Sequence, residues 1–147
     1  LFVLFLFCGA IFIPRETLQK RTKKDWQFYA AHVLFYSIPA SYFFSDCVPS
    51  AAVLLAAVAL FLSGSALHIW AIRSNPYFSP EIVKPPRVII TGAYQWRYLK
   101  HPAYTGASAM ATGSWLLGAP NWALIPLVTY LLLLAWRARK ETLLIYQ

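Results

Sequence analysis

The sequence predicts an all-α fold: a polytopic integral membrane bundle of about five transmembrane helices, N-terminus outside and C-terminus cytoplasmic. Three observations predict it. Charged residues make up 12% of the chain, about half the roughly 25% usual in soluble domains. Apolar types reach 59% and aromatics 17%, and they gather into near-continuous runs. The 13 Lys and Arg fall into three clusters, each beside an apolar run. A length of 147 residues allows one membrane-embedded domain, 1–147.

The elements follow in order. Leu1 to Ile13 is apolar but too short to span alone. It opens without Met or a basic leader region, so it reads as a truncated membrane helix and not as a signal peptide. Phe28 to Phe44, Ala51 to Ile72 and Trp122 to Trp136 are the three long runs. The middle one, 22 residues, would rise ~33 Å as a helix, enough to cross a hydrocarbon core of ~30 Å. Ala103 to Leu117 is a fourth, short span of fifteen residues that includes Thr105, Ser108, Thr112 and Ser114. Gly106 and Gly113 fall on nearly one face of it, with Ala109 close by. Such a small face either lets a neighbouring helix approach closely or leaves room for a bound molecule.

Topology comes from the cations. Arg15, Lys20, Arg21, Lys23 and Lys24 occupy the first connection, and Arg73, Lys84, Arg87, Arg97 and Lys100 the third. Arg137, Arg139 and Lys140 follow the last apolar run. The connections "SDCVPS" and "GAPNW" carry none. With a helix at Ala103 to Leu117, every basic residue lands on one face of the membrane, which the positive-inside rule makes cytoplasmic. The net charge of +8 is then topological and suits an anionic leaflet. A nucleic-acid partner would need a soluble basic surface, which this pattern excludes. Cys8 and Cys47 lack paired spacing and read as free thiols. His32 and His68 lie within about two turns of the cytoplasmic ends of their helices; three His on separate helices without nearby carboxylates make no metal site.

Two constellations carry chemistry. In "WRYLKHPAYTG", Pro102 belongs in the first helical turn, where its missing N–H is no loss, and it pushes His101 out of the helical region. The unpaired N–H groups of that turn and the positive dipole end suit an anion. Lys100, His101, Tyr104 and Thr105 surround it with polar groups. The rival reading is a capped helix with interfacial anchors. In "WRARKETLLIYQ", Arg137 and Glu141 are spaced i, i+4 on one helix face, directly beyond the last apolar run. As an ordinary surface pair they would contribute only about 0.2–0.5 kcal/mol.

The run "RVIITGAYQWRYLKHPAYTG", preceded by "NPYFSP" and followed by "RARKE", resembles the isoprenylcysteine carboxyl methyltransferases and their bacterial relatives, a family related to phospholipid methyltransferases. The resemblance runs from about Asn75 to Leu144 and marks 75–147 as the cofactor-binding and catalytic part. It implies a helical membrane enzyme that uses S-adenosyl-L-methionine. Its cofactor contacts carry over to Arg87, Val88, Ile89, Tyr94, His101, Pro102, Ala103, Tyr104 and Glu141, and its substrate contact to Arg137. Four departures stand out. Lys100 replaces the usual Arg before His-Pro and loses a planar fork. Ala93 stands where many relatives have Pro, and Thr142 where a second Glu is common. The sequence ends at Gln147, before the aromatic tail with which relatives close the site.

The implied reaction is methyl transfer to a carboxylate, giving a methyl ester. A carboxylate is already ionised at neutral pH, so alignment and a dry site matter more than a general base. Arg137 suits a two-pronged hold on the carboxylate. The cofactor would enter from the cytoplasm and a lipidated or lipidic carboxylate from the bilayer, in a bacterial inner membrane or the endoplasmic reticulum. The alternatives are a phospholipid amine N-methyltransferase, which would want a base such as His101 or Glu141, a sterol-type reductase, and a non-catalytic membrane module.

Overall fold

A computed structural model describes residues 26–75 and 100–145. The expected first span, the first basic cluster and the connection carrying Arg87, Val88, Ile89 and Tyr94 lie outside the described residues. Among the described residues the chain is helical and contains no strand. Helix α1, Trp26–Ala40, runs into a 3-10 turn, Ser41–Phe44; α2 is Ala51–Ser74 and α3 is Pro102–Leu116. A second 3-10 turn, Asn121–Ala123, leads into α4, Leu124–Ile145. The apolar runs of the sequence coincide with α1, α2 and α4, and the short fourth span is the discrete helix α3.

The helix limits have local causes. Pro39 lies inside the last turn of α1, and the chain tightens to 3-10 geometry directly after it. The Ser50 side chain accepts from the Val53 N–H at 3.4 Å and caps the start of α2. Past the end of α3, Gly118 adopts φ +125°, a conformation that a side chain would strain, and a Cβ there would lie 2.9 Å from the Cys47 carbonyl oxygen. The connection after α1 therefore touches the connection after α3. Nearby, the Tyr42 hydroxyl meets Ser114 Oγ at 3.2 Å. At the other end of the bundle, Glu141 near the end of α4 meets Tyr104 in the first turn of α3. The four helices thus alternate up and down.

Helices α2 and α3 form the most extensive pairing. Its cause is the small face anticipated on α3. A Cβ on Gly106 would lie 2.6 Å from the His68 amide nitrogen and 2.7 Å from the Gly64 carbonyl oxygen, so the two backbones touch where no side chain fits. Between close approach and room for a bound molecule, α2 fills the space along this face. On the other side, α3 joins α1 and α4 in a core of Ala31, Ile38, Ala107, Ala111, Leu127, Tyr130 and Leu134. Phe35 packs against it, its ring tilted by 41° to that of Tyr130 at 5.4 Å between ring centres.

The outward surface is apolar as well. Leu55 and Leu62, two turns apart on α2, are 72% and 60% exposed. Val33 of α1 and Ile125 and Leu132 of α4 are also largely exposed. A water-soluble bundle does not present such continuous apolar faces. Two helices among the described residues, Ala51–Ser74 and Asn121–Leu144, are long and apolar enough to cross a membrane. At 24 residues each, they rise ~36 Å.

Two outcomes are expected from this packing. In a cysteine-free background, Ser50→Cys and Arg139→Cys should react with an impermeant thiol reagent from opposite sides of a sealed membrane; reaction from one side alone would overturn the alternating arrangement. Gly106→Ala should force the α2 and α3 backbones apart and cost about 1–3 kcal/mol in detergent unfolding, the usual range for overpacking.

Candidate functional site

The site gathers where α3 begins. Pro102 is the first helical residue, and His101 sits outside the helical region, which a following proline disfavours, with φ −130° and ψ 67°. The N-cap side chain makes no capping bond, so the first-turn N–H groups of α3 are not closed off by His101. Lys100 is exposed before it. Helix α3 has 15 residues against 24 in α2, a difference of nine residues or ~13 Å of rise. Contacts of Gly106 with His68 and of Gly113 with Ala57 and Phe61 set α3 alongside the middle of α2, so its first turn is set back about one turn from the end of α2 and lies in a recess beside α4. The buried state of Pro102 and Ala103 reflects this.

Helix α4 lines the recess with its last polar turns. The Tyr104 hydroxyl donates to Glu141 Oε1, and Arg137 Nε donates to the same hydroxyl at 3.5 Å. Arg137 and Glu141 share a face as the i, i+4 spacing demands, with the tyrosine hydroxyl lying between them. Only 4% of Arg137 is exposed, so it is no solvated surface cation. A buried guanidinium is retained where acceptors surround it. His101 closes the group from its other side: Nδ1 stands 3.6 Å from Glu141 Oε2, and Nε2 lies 2.7 Å from Thr142 Oγ1. The side chains of His101 and Glu141 remain 19% and 25% exposed, whereas Arg137 is sealed beside them.

The network has a direction. A guanidinium only donates, so Arg137 fixes the Tyr104 oxygen as its acceptor and the Tyr104 proton as the one given to Glu141. Glu141 therefore spends one oxygen on Tyr104 and turns the other towards His101.

Of the residues expected to contact a cofactor or substrate, the structure brings together His101, Pro102, Ala103, Tyr104, Arg137 and Glu141. Arg87, Val88, Ile89 and Tyr94 lie outside the described residues. Thr105 does not join the group: it is exposed and its hydroxyl donates back to the His101 carbonyl at 3.1 Å. His32 bonds the Phe28 carbonyl of its own helix at 2.8 Å. His68 of α2 instead donates from Nδ1 to the Ala103 carbonyl at 2.8 Å and pins the first turn of α3. A neutral histidine bonded to a carbonyl is what a place near a helix end leads one to expect; the sequence did not show that the partner of His68 lies on α3, nor the contact of Thr142. The only hint of the first was the small-residue face opposite His68, and nothing in the spacing indicated the second. Lys140 extends over the Trp136 ring, 4.0 Å from its centre, at the outer edge of α4.

A family model described as the Isoprenylcysteine carboxyl methyltransferase (ICMT) family matches residues 57–147, from within α2 to the end of the chain. No curated protein and no solved structure matches the chain.

Removing the bridging hydroxyl tests the network directly. Tyr104→Phe keeps the ring but strips Glu141 of a donor and Arg137 Nε of an acceptor, and it should cost about 1–3 kcal/mol of stability in detergent. Combined with Glu141→Gln, the loss should fall short of the sum of the single variants by at least about 0.5 kcal/mol. Strict additivity would mean that the two groups act independently.

Proposed function

This chain belongs to the isoprenylcysteine carboxyl methyltransferase family, and from that membership we propose that it transfers a methyl group from S-adenosyl-L-methionine to the carboxylate of a lipidated or lipidic substrate. Membership supports a membrane methyltransferase, and the apolar outward faces agree with a membrane location. The finer reading is a five-helix, multi-pass protein with its N-terminus outside. The recess faces the cytoplasm, and 75–147 carries cofactor and substrate. Its support among the described residues is the distribution of cations: Arg73, Lys100, Arg137, Arg139 and Lys140 all lie at the recess end, and the connections at the other end have none.

The observation that carries the substrate class is Arg137, buried at 4% exposure beside the recess. A sealed cation at the floor of an open site favours an anionic acceptor and disfavours an amine, which becomes cationic on methylation. The recess also suits the cofactor. The uncapped first turn of α3 offers donors to a carboxylate, and Glu141 with His101 offers acceptors to an ammonium or a ribose hydroxyl. S-adenosyl-L-methionine, when bound, supplies an electrophilic methyl group on a sulfonium. The chain's own part is to bind and orient. Glu141, steadied by Tyr104, holds the polar end of the cofactor. Arg137 aligns the substrate carboxylate, and the flanking helices keep water from the reacting centre. No proton has to be removed, since the acceptor is already an anion. A lipid-borne acid reaches such a recess sideways from the bilayer while the cofactor arrives from the aqueous face.

Separate measurements of cofactor affinity and turnover test this reading. Glu141→Gln should weaken S-adenosyl-L-methionine binding roughly ten- to hundredfold, the loss expected for a hydrogen bond involving a charged group. Arg137→Ala should leave that affinity near normal, which also reports folding, and lower turnover of the carboxylate by a similar factor. Arg137→Lys should recover only part of it. The radiolabelled product should be a base-labile methyl ester. Base-stable N-methyl product would move the assignment to amine methylation, and absence of cofactor binding would remove both.

A further inference from the structure

We infer that Thr142 is a positioning residue that fixes His101 as its Nε2–H tautomer, so that the ring presents its Nδ1 lone pair beside Glu141 Oε2 to a hydrogen-bond donor of the bound ligand. The inference deepens the proposed cofactor role of His101 and rests on that reading for its functional consequence, but the tautomer follows from the hydrogen bonds alone. Thr142 Oγ1 lies 2.9 Å from the Ala138 carbonyl oxygen. A carbonyl only accepts, so the single hydroxyl proton of Thr142 is committed to it. The oxygen is left to accept, and its partner at 2.7 Å is His101 Nε2. That nitrogen therefore carries the proton, and in a neutral ring the lone pair falls on Nδ1.

The consequence appears on the other side of the ring. Nδ1 stands 3.6 Å from Glu141 Oε2, too far for a direct hydrogen bond. Two acceptors facing each other at this separation attract a donor that contacts both. An ammonium or a hydroxyl group fits; an anion does not. With the opposite tautomer, Nδ1 would carry a proton on the side facing Glu141, and the pair of acceptors would be lost. Thr142 thereby sets the polarity of one wall of the recess without touching a ligand. Helix α4 is well placed to do so, since Ala138 lies one turn before the adjacent Glu141 and Thr142 on one rigid element.

The other two histidines of the chain provide an internal reference. His32 Nδ1 faces the Phe28 carbonyl and His68 Nδ1 faces the Ala103 carbonyl. By the same logic both are Nδ1–H tautomers, and His101 differs from them. Nitrogen-15 NMR of selectively labelled histidine, in detergent at mildly alkaline pH, should show two Nδ1–H rings and one Nε2–H ring. The Nε2–H signals should vanish in His101→Asn. Thr142→Val, which keeps the shape but loses the hydroxyl, should abolish the single-tautomer signature of His101, and Thr142→Ser should restore it. S-adenosyl-L-methionine affinity should fall roughly two- to tenfold in the valine variant, as for one lost neutral hydrogen bond, and return in the serine variant with turnover at saturation little changed. An Nδ1–H or doubly protonated His101, or an unaltered signature in Thr142→Val, would overturn the inference. So would unchanged cofactor affinity in the valine variant of a chain whose wild type binds. A wild-type chain that binds no S-adenosyl-L-methionine while showing the expected tautomers would instead overturn the proposed cofactor and leave the Thr142 contact standing.

Discussion

Backbone contact between α2 and α3 is the constraint on which the recess depends. At Gly64 and Gly106 the helices meet without intervening side chains, and that depth of approach brings His68 within reach of the Ala103 carbonyl. The first turn of α3 is thereby held from below by α2 and from the side by the polar turns of α4. Packing that looks purely structural decides where the start of α3, which the His101 side chain leaves uncapped, comes to rest.

The second layer of organisation is electrostatic. A guanidinium beside apolar helices is tolerated only within a shell of acceptors. Here the Tyr104 oxygen is one member of that shell and relays the charge towards Glu141. Tyr104 is therefore more than an aromatic filler at an interface. Its ring packs against the core while its hydroxyl joins two helices. The same side chain links the apolar interior to the polar recess, which couples the stability of the bundle to the geometry of the site.

Much of this was legible in the sequence because it is local. The apolar runs marked α1, α2 and α4, and the proline after His101 marked the start of α3. The spacing of Arg137 and Glu141 placed them on one face. The gathering of cations at one end followed from counting. What was not legible depends on how helices turn towards one another. Nothing in the order of residues says that the hydroxyl of Tyr104 falls between Arg137 and Glu141. Nor does it say that Thr142 reaches His101 or that His68 reaches Ala103. These contacts span 35 to 41 residues of sequence in the case of His68–Ala103 and His101–Thr142. The small face of α3 showed only that something came close; the structure supplies α2 as the neighbour.

The unbroken course of α4 has a mechanical consequence. One rigid rod carries both the apolar stretch that sits among lipids and the turn that bears Arg137, Glu141 and Thr142. Such a helix cannot change its length with the surrounding bilayer; it tilts where the slab is thinner than its apolar stretch, and its polar end is drawn inward where the slab is thicker. The immersion of the recess is accordingly tied to the thickness of the hydrocarbon slab. A thin bilayer lifts the polar turn into water, and a thick one draws Arg137 deeper and raises the barrier for a charged visitor. A rod of fixed length would in this way turn lipid composition into a continuous adjustment of depth.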